Sequence, residues 1–182
     1  MFVDYLIVGC KHVLPLGLDH VLFIIALCLS VNQFKSAIIL ATLFTLAHSF
    51  SLALGIFGYC SINPAVIETL IALSIFFLAI QNILSKENGR LKPLLVFCFG
   101  LIHGLGFAAA LKEYGLVNNE FIISLAGFNI GVEIAQALII ISVFSLLLLL
   151  KNWLLLNTIK KSVSFAIGLI ALIWTFERMF SI

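Results

Sequence analysis

Charge is what this sequence has least of. Asp, Glu, Lys and Arg make up 10% of its 182 residues, prolines number three, and no Cys-x-x-Cys or His-Glu-x-x-His string occurs. Each shortage excludes something. A soluble domain of this length buries only part of its surface and needs a charged exterior to stay in water. With 63% hydrophobic residues and a mean hydropathy of +1.26, lipid is the solvent for most of the chain. The ten basic residues form no cluster of the kind that tracks a phosphate backbone, so membrane lipids, not nucleic acid, are the expected macromolecular surroundings. Cys10, Cys28, Cys60 and Cys98 stand apart and read as small apolar packing residues, in preference to a Cys10–Cys60 disulfide near one membrane face. The N-terminus opens on Asp4 instead of a basic region, which does not fit a cleavable signal.

What the sequence does have is apolar runs of about 20 residues, the length of a spanning helix and twice that of a barrel strand. Since backbone polar groups in lipid must bond within their own segment, the expected fold is all-α: a polytopic membrane helix bundle with six transmembrane helices. The runs lie at about Leu16–Val31, Ser36–Phe57, Ala65–Leu84, Pro93–Leu111, Glu120–Leu150 and Ser162–Phe180. No repeat or linker divides them, so residues 1–182 are expected to form a single integral-membrane domain. Lys35, Lys86, Arg90, Lys92, Lys151, Lys160 and Lys161 fall on one side and Lys11, Lys112 and Arg178 on the other, which places both termini outside. Trp153 and Trp174 suit an interfacial aromatic belt, and Glu177 with Arg178 reads as an interfacial pair.

Ionisable groups inside a membrane are costly, roughly 2.5–3.5 kcal/mol each at a helix centre, so those present point to a site. All four histidines qualify. At about 1.5 Å per residue, His48 and His103 come to roughly 12–14 Å below the outer surface. Asp19 and His20 are shallower and Glu133 somewhat deeper. His12 is the outlier, two turns before Asp19 with Pro15 and Gly17 between. Asn129, Glu133 and Gln136 share one helix face at i, i+4, i+7. Thr45 and Ser49 flank His48 and either support the site by hydrogen bonds or bond back to their own helix. The small-residue pairs Gly100/Gly104 and Gly127/Gly131 allow close helix approach. Interhelical hydrogen bonding, a proton relay and metal binding are all uses for such a constellation. Imidazoles with carboxylates are the ligand set of borderline divalent metals, so the expected cofactor or cargo is nickel, cobalt or zinc. The candidate metal ligands are His12, Asp19, His20, His48, His103 and Glu133, supported by Thr45, Ser49, Asn129 and Gln136.

Five ordered strings then carry a resemblance: HVLPLGLDHVLF (12–23), TLFTLAHSFSLAL (42–54), IALSIFFLAIQN (71–82), FGLIHGLGFA (99–108) and FNIGVEIAQ (128–136). Together they resemble the HupE/UreJ family of membrane proteins, most nearly its second branch. The founding members are associated with hydrogenase and urease gene clusters and are regarded as nickel permeases. The resemblance implies a nickel- or cobalt-type permease in a bacterial inner (cytoplasmic) membrane, with His12, Asp19, His20, His48, His103 and Glu133 as its motif residues. The alternative is a zinc-dependent intramembrane enzyme acting on a lipid or membrane-anchored substrate, with Glu133 as general base. It is kept open because nothing charged lies between Gln136 and Leu150 to carry an ion inward.

Overall fold

The structure, a computed structural model, describes residues 1–60, 62–84, 91–113, 121–150 and 155–180, with the side chains of 109–113 outside that set. Lys86, Arg90, Lys112, Lys151, Trp153 and Glu120 therefore lie outside the described side chains. Every regular element among the described residues is a helix: α1 (Phe2–Val13), α2 (Leu18–Leu29), α3 (Phe34–Ile56), α4 (Pro64–Ile83), α5 (Lys92–Glu113), α6 (Phe121–Leu149) and α7 (Leu156–Met179). Four of them, α3, α4, α6 and α7, are long and apolar enough to cross a membrane, and a fifth crossing results if α1 and α2 count as one broken span. The apolar part of α5 described here, Lys92–Ala108, is shorter. The protein is thus an integral membrane protein with four to five candidate spans among the described residues.

The first expected span, Leu16–Val31, takes another form. Pro15 cannot donate a backbone hydrogen bond, and the chain bends by 69° between α1 and α2. Gly17 sits where a Cβ would collide with the His12 carbonyl, so the turn closes tightly over the end of α1. At about 1.5 Å per residue, two helices of 12 residues reach roughly 18 Å each, and neither crosses a bilayer alone.

Helix directions follow from which residues meet. In α3 and α5, Gly100 abuts Phe44 and Ala47, Gly104 abuts His48 and Ser51, and Gly55 abuts Ala108, so the two run the same way. In α1 and α6, Gly127 meets Phe2 and Gly131 meets Leu6 and Cys10, again the same way. Helix α4 runs opposite to α7, with Gly168 beside Ala79 and Arg178 beside Glu68. Helix α3 runs opposite to α6, with Phe57 on Phe121 and Phe34 on Phe144. Phe23, Phe44 and Phe128 are fully buried between these pairs. The outer faces carry exposed Leu138, Ile141, Phe165 and Leu169, as lipid-facing surfaces do. The four cysteines are free thiols, and that of Cys10 donates to the Gly131 carbonyl at 3.3 Å.

Candidate metal site

Three helices deliver three imidazoles to one point. Helix α1 carries His12 next to its last residue, α2 begins two residues before His20, and α3 carries His48 near its middle. One ring nitrogen from each lies within 4.8 Å of the others. The ring centroids are 4.6 Å apart for His12–His20, 5.6 Å for His20–His48 and 5.7 Å for His12–His48. His20 and His48 are buried. Nε2 of His12, Nε2 of His20 and both nitrogens of His48 are buried without a hydrogen-bond partner. Buried polar atoms are satisfied in the great majority of cases, so four orphaned nitrogens in one place are lone pairs and N–H groups available to a ligand. Ligand nitrogens around a tetrahedral ion stand roughly 3.4 Å apart, as follows from bonds of about 2.1 Å, so small ring rotations would close the triad onto a cation.

His12, read from the sequence as the outlier, is a full member of this cluster. The reason is the helix it rides on. Gly9, Gly127 and Gly131 remove the side chains that would hold α1 away from α6, and α1 therefore runs alongside α6 into the bundle. The Gly127/Gly131 pair seats the helix that carries His12. The small-residue pair on α5 does for His103 what was expected of it, pressing that helix against the backbone of α3.

His103 stands beside the triad, its ring 5.1 Å from that of His20. Its tautomer follows from Ser74, a residue the sequence reading passed over. Ser74 Oγ donates its one proton to the Ile71 carbonyl at 2.7 Å. It therefore accepts from His103 Nε2–H at 3.2 Å, which leaves Nδ1 carrying a lone pair. That Nδ1 is buried and unpartnered, the state required of a fourth ligand. Ser74 lies inside a motif string, IALSIFFLAIQN, but a serine on an apolar helix gives no sign of its partner.

The carboxylates are placed differently. Asp19 is held by Arg178, whose Nη2 donates to both its oxygens at 3.0 and 3.1 Å. The same guanidinium donates to the Glu68 carbonyl and lies over the Trp174 ring at 5.2 Å. The partner of Arg178 is thus a residue 159 positions away. Glu133 accepts from Thr42 Oγ1 at 3.2 Å and belongs to the α3–α6 contact. There the single hydroxyl proton of Thr45 faces two acceptors at 3.1 Å, the Ala41 carbonyl of its own helix and Gln136 Oε1, while Gln136 Nε2 and Asn129 Oδ1 are buried and unpartnered. Ser49 bonds back to the Thr45 carbonyl at 2.6 Å, the local alternative to a role beside His48. The structure therefore gathers His12, His20 and His48, sets His103 beside them, and keeps Asp19 and Glu133 in separate hydrogen bonds.

A cleft of about 470 Å³ reaches this cluster, lined by His12, His20 and His103 within and by Lys11, Asp19, Glu68 and Arg178 toward its mouth. Opposite, the imidazoles rest on aromatic rings: Phe44 is 4.9 Å from His103 and 5.7 Å from His20, and Phe128 is 6.3 Å from His48.

Comparison with curated proteins and with solved structures gives no match. The family model described as HupE / UreJ protein matches residues 1–178, a stretch that contains the whole histidine cluster and ends on the Arg178 that holds Asp19. The chain belongs to the HupE/UreJ family.

Proposed function

We propose that this protein is a divalent transition-metal permease of the nickel or cobalt type, seated in a bacterial inner membrane. The observation that carries the reading is the convergence of His12, His20 and His48 with unpartnered nitrogens. The family supports it, since its founding members are regarded as nickel permeases. The ion enters by the cleft, loses water to His12 and His20, and is held by His48 with His103 Nδ1 beside it. Glu133 is the next carboxylate along the bundle and takes the ion, or a proton in exchange for it, when the helices shift. The helix directions support six crossings: α1 and α2 share the first, and each of α3 to α7 reverses the one before. With seven basic residues on one side against three, both termini face outward.

Purified protein is expected to bind one nickel or cobalt ion per chain, and proteoliposomes to take the ion up. Uptake is expected to fall by an order of magnitude or more in Glu133→Gln while binding at the histidines persists. Tight stoichiometric metal without uptake would favour the second reading, a metal-dependent intramembrane enzyme. The aromatic floor of Phe44 and Phe128 under the histidines is the feature on its side, because it seals a cleft that an ion would have to leave.

Arg178 makes a further prediction. Asp19 can join an incoming cation only after it releases the guanidinium. The pair is one-fifth to one-quarter exposed, so water softens the loss of either partner. Arg178→Gln is expected to lower the stability of the metal-free protein by about 1 kcal/mol. It should strengthen metal binding about tenfold, because the site loses a competing positive charge and gains a free carboxylate. Titration calorimetry on both forms checks this, and weaker binding in the variant would show that Arg178 positions Asp19 for the ion.

A further inference from the structure

At the opposite end of the bundle from the cleft's mouth, a second cavity of about 340 Å³ lies among the ends of four helices. Leu29 and Ser30 close α2, Gln81 and Asn82 close α4, Lys92 opens α5, and Asn157, Lys160, Lys161 and Ser164 come from the first turns of α7. Among the described residues its lining contains three lysines, three asparagines, a glutamine and two serines, and no carboxylate. Lys160 and Lys161 bring two positive charges to it from successive positions of α7.

Two features show what the cavity suits. The first is Ser164, fully buried, with an Oγ that makes no hydrogen bond. A helical serine ordinarily bonds back to its own helix, as Ser142 and Thr175 do here. Ser164 instead lines the cavity with its hydroxyl uncommitted. The second is the start of α7. Lys160 and Lys161 precede Ser164 by four and three residues, so the three side chains share one side of the helix and line the same cavity. Two neighbouring groups are already tied in place: Lys92 Nζ donates to the Ser30 carbonyl and Asn82 Nδ2 to the Ala26 carbonyl, which fixes the α2 end of the cavity.

We propose that this cavity is a binding site for a phosphate group, held by Lys160, Lys161 and the Ser164 hydroxyl. The phosphate could arrive on an anionic lipid headgroup or as a soluble phosphate. The site lies on the face where basic loop residues accumulate, the side on which bilayers present anionic lipid. It shares no residue with the histidine cluster, so its test stands apart from that of metal transport.

The experiment uses the full metal-free chain in nanodiscs of phosphatidylcholine, with phosphatidylglycerol or cardiolipin titrated in, and separately in detergent with inorganic phosphate. Thermal unfolding and native mass spectrometry read stability and retained lipid. Anionic lipid is expected to raise the unfolding temperature and to remain bound on detergent extraction. Lys160→Gln and Lys161→Gln should each weaken the effect about fivefold, as a lysine near a membrane surface contributes roughly 1 kcal/mol. Ser164→Ala should weaken it with charge unchanged, and Lys11→Gln, at the other end, should leave it as it is. Stabilisation by inorganic phosphate alone, lost in the same variants, assigns the site to a soluble phosphate. Equal response of wild type and the lysine variants, or no response to either source, overturns the proposal.

Discussion

Replacing His48 by leucine is expected to abolish metal binding and, at the same time, to make the metal-free protein more resistant to heat. The two effects have one cause. His48 is fully buried and neither of its nitrogens has a hydrogen-bond partner. An orphaned buried polar group costs about 1–3 kcal/mol, and an apolar side chain of similar volume among Phe44 and Phe128 relieves that cost. The affinity loss should be on the order of 100-fold or more, since removing a mere supporting partner of a metal ligand already costs 10- to 100-fold. Ser74→Ala supplies the milder comparison. It removes the acceptor that fixes the His103 tautomer and should weaken binding by roughly tenfold. Calorimetric titration with nickel and cobalt, beside thermal unfolding with chelator present, reads both quantities. A leucine variant that is less stable without metal would mean that His48 serves as an interhelical hydrogen bonder, and the metal reading would lose its main support.

How much of this was legible in the sequence depends on the kind of signal. The membrane setting and the all-helical architecture follow from apolar runs that lipid alone can accommodate, and α3, α4, α5 and α6 begin and end within about two residues of those runs, while α7 starts at Leu156 instead of Ser162. The histidines were legible as a group because an ionisable residue in such a run has few bland explanations. The first span was not. Its apolar run starts after Pro15, so Phe2–Val13 looks like a short apolar stretch leading into it, and only the glycines of α1 and α6 reveal that this helix lies inside the bundle. His12 stands apart in the sequence because the helix that carries it does. Asp19 was expected among the ligands because it is an ionisable residue inside an apolar run, at a depth compatible with the histidines. Adjacent residues on a helix point about 100° apart, and Asp19 turns to Arg178 instead. Ser74 and Thr42, the partners of His103 and Glu133, were beyond reach, since a hydroxyl in an apolar helix has the same local pattern whether or not an imidazole or carboxylate faces it.

Gly104→Ala, a change of one methyl group with no new chemistry, is expected to impair the site nearly as much as losing a ligand's support. A Cβ at Gly104 would run into the backbone carbonyl of His48 and the hydroxyl of Ser51. The Ser51 hydroxyl can turn, though it is engaged with the His48 carbonyl at 3.1 Å; the carbonyl belongs to the α3 backbone and moves only with the helix. Overpacking of this sort costs about 1–3 kcal/mol. The displacement falls between the two residues that matter, because Gly104 follows His103 and presses on the peptide of His48. Pushing α3 from α5 separates their imidazoles and moves His48 out of the triad with His12 and His20. Metal affinity should therefore drop by about tenfold, beyond what a uniform loss of stability explains. Gly168→Ala is the control, since its Cβ would meet only the Ala79 and Phe76 side chains at 3.4 and 3.9 Å, an ordinary contact on the α4–α7 pair away from the histidines. That variant should bind metal as wild type does. Should Gly104→Ala lower the unfolding temperature yet leave metal affinity untouched, the α3–α5 contact holds the bundle together without setting the geometry of the site, and His103 lies too far from the ion to matter.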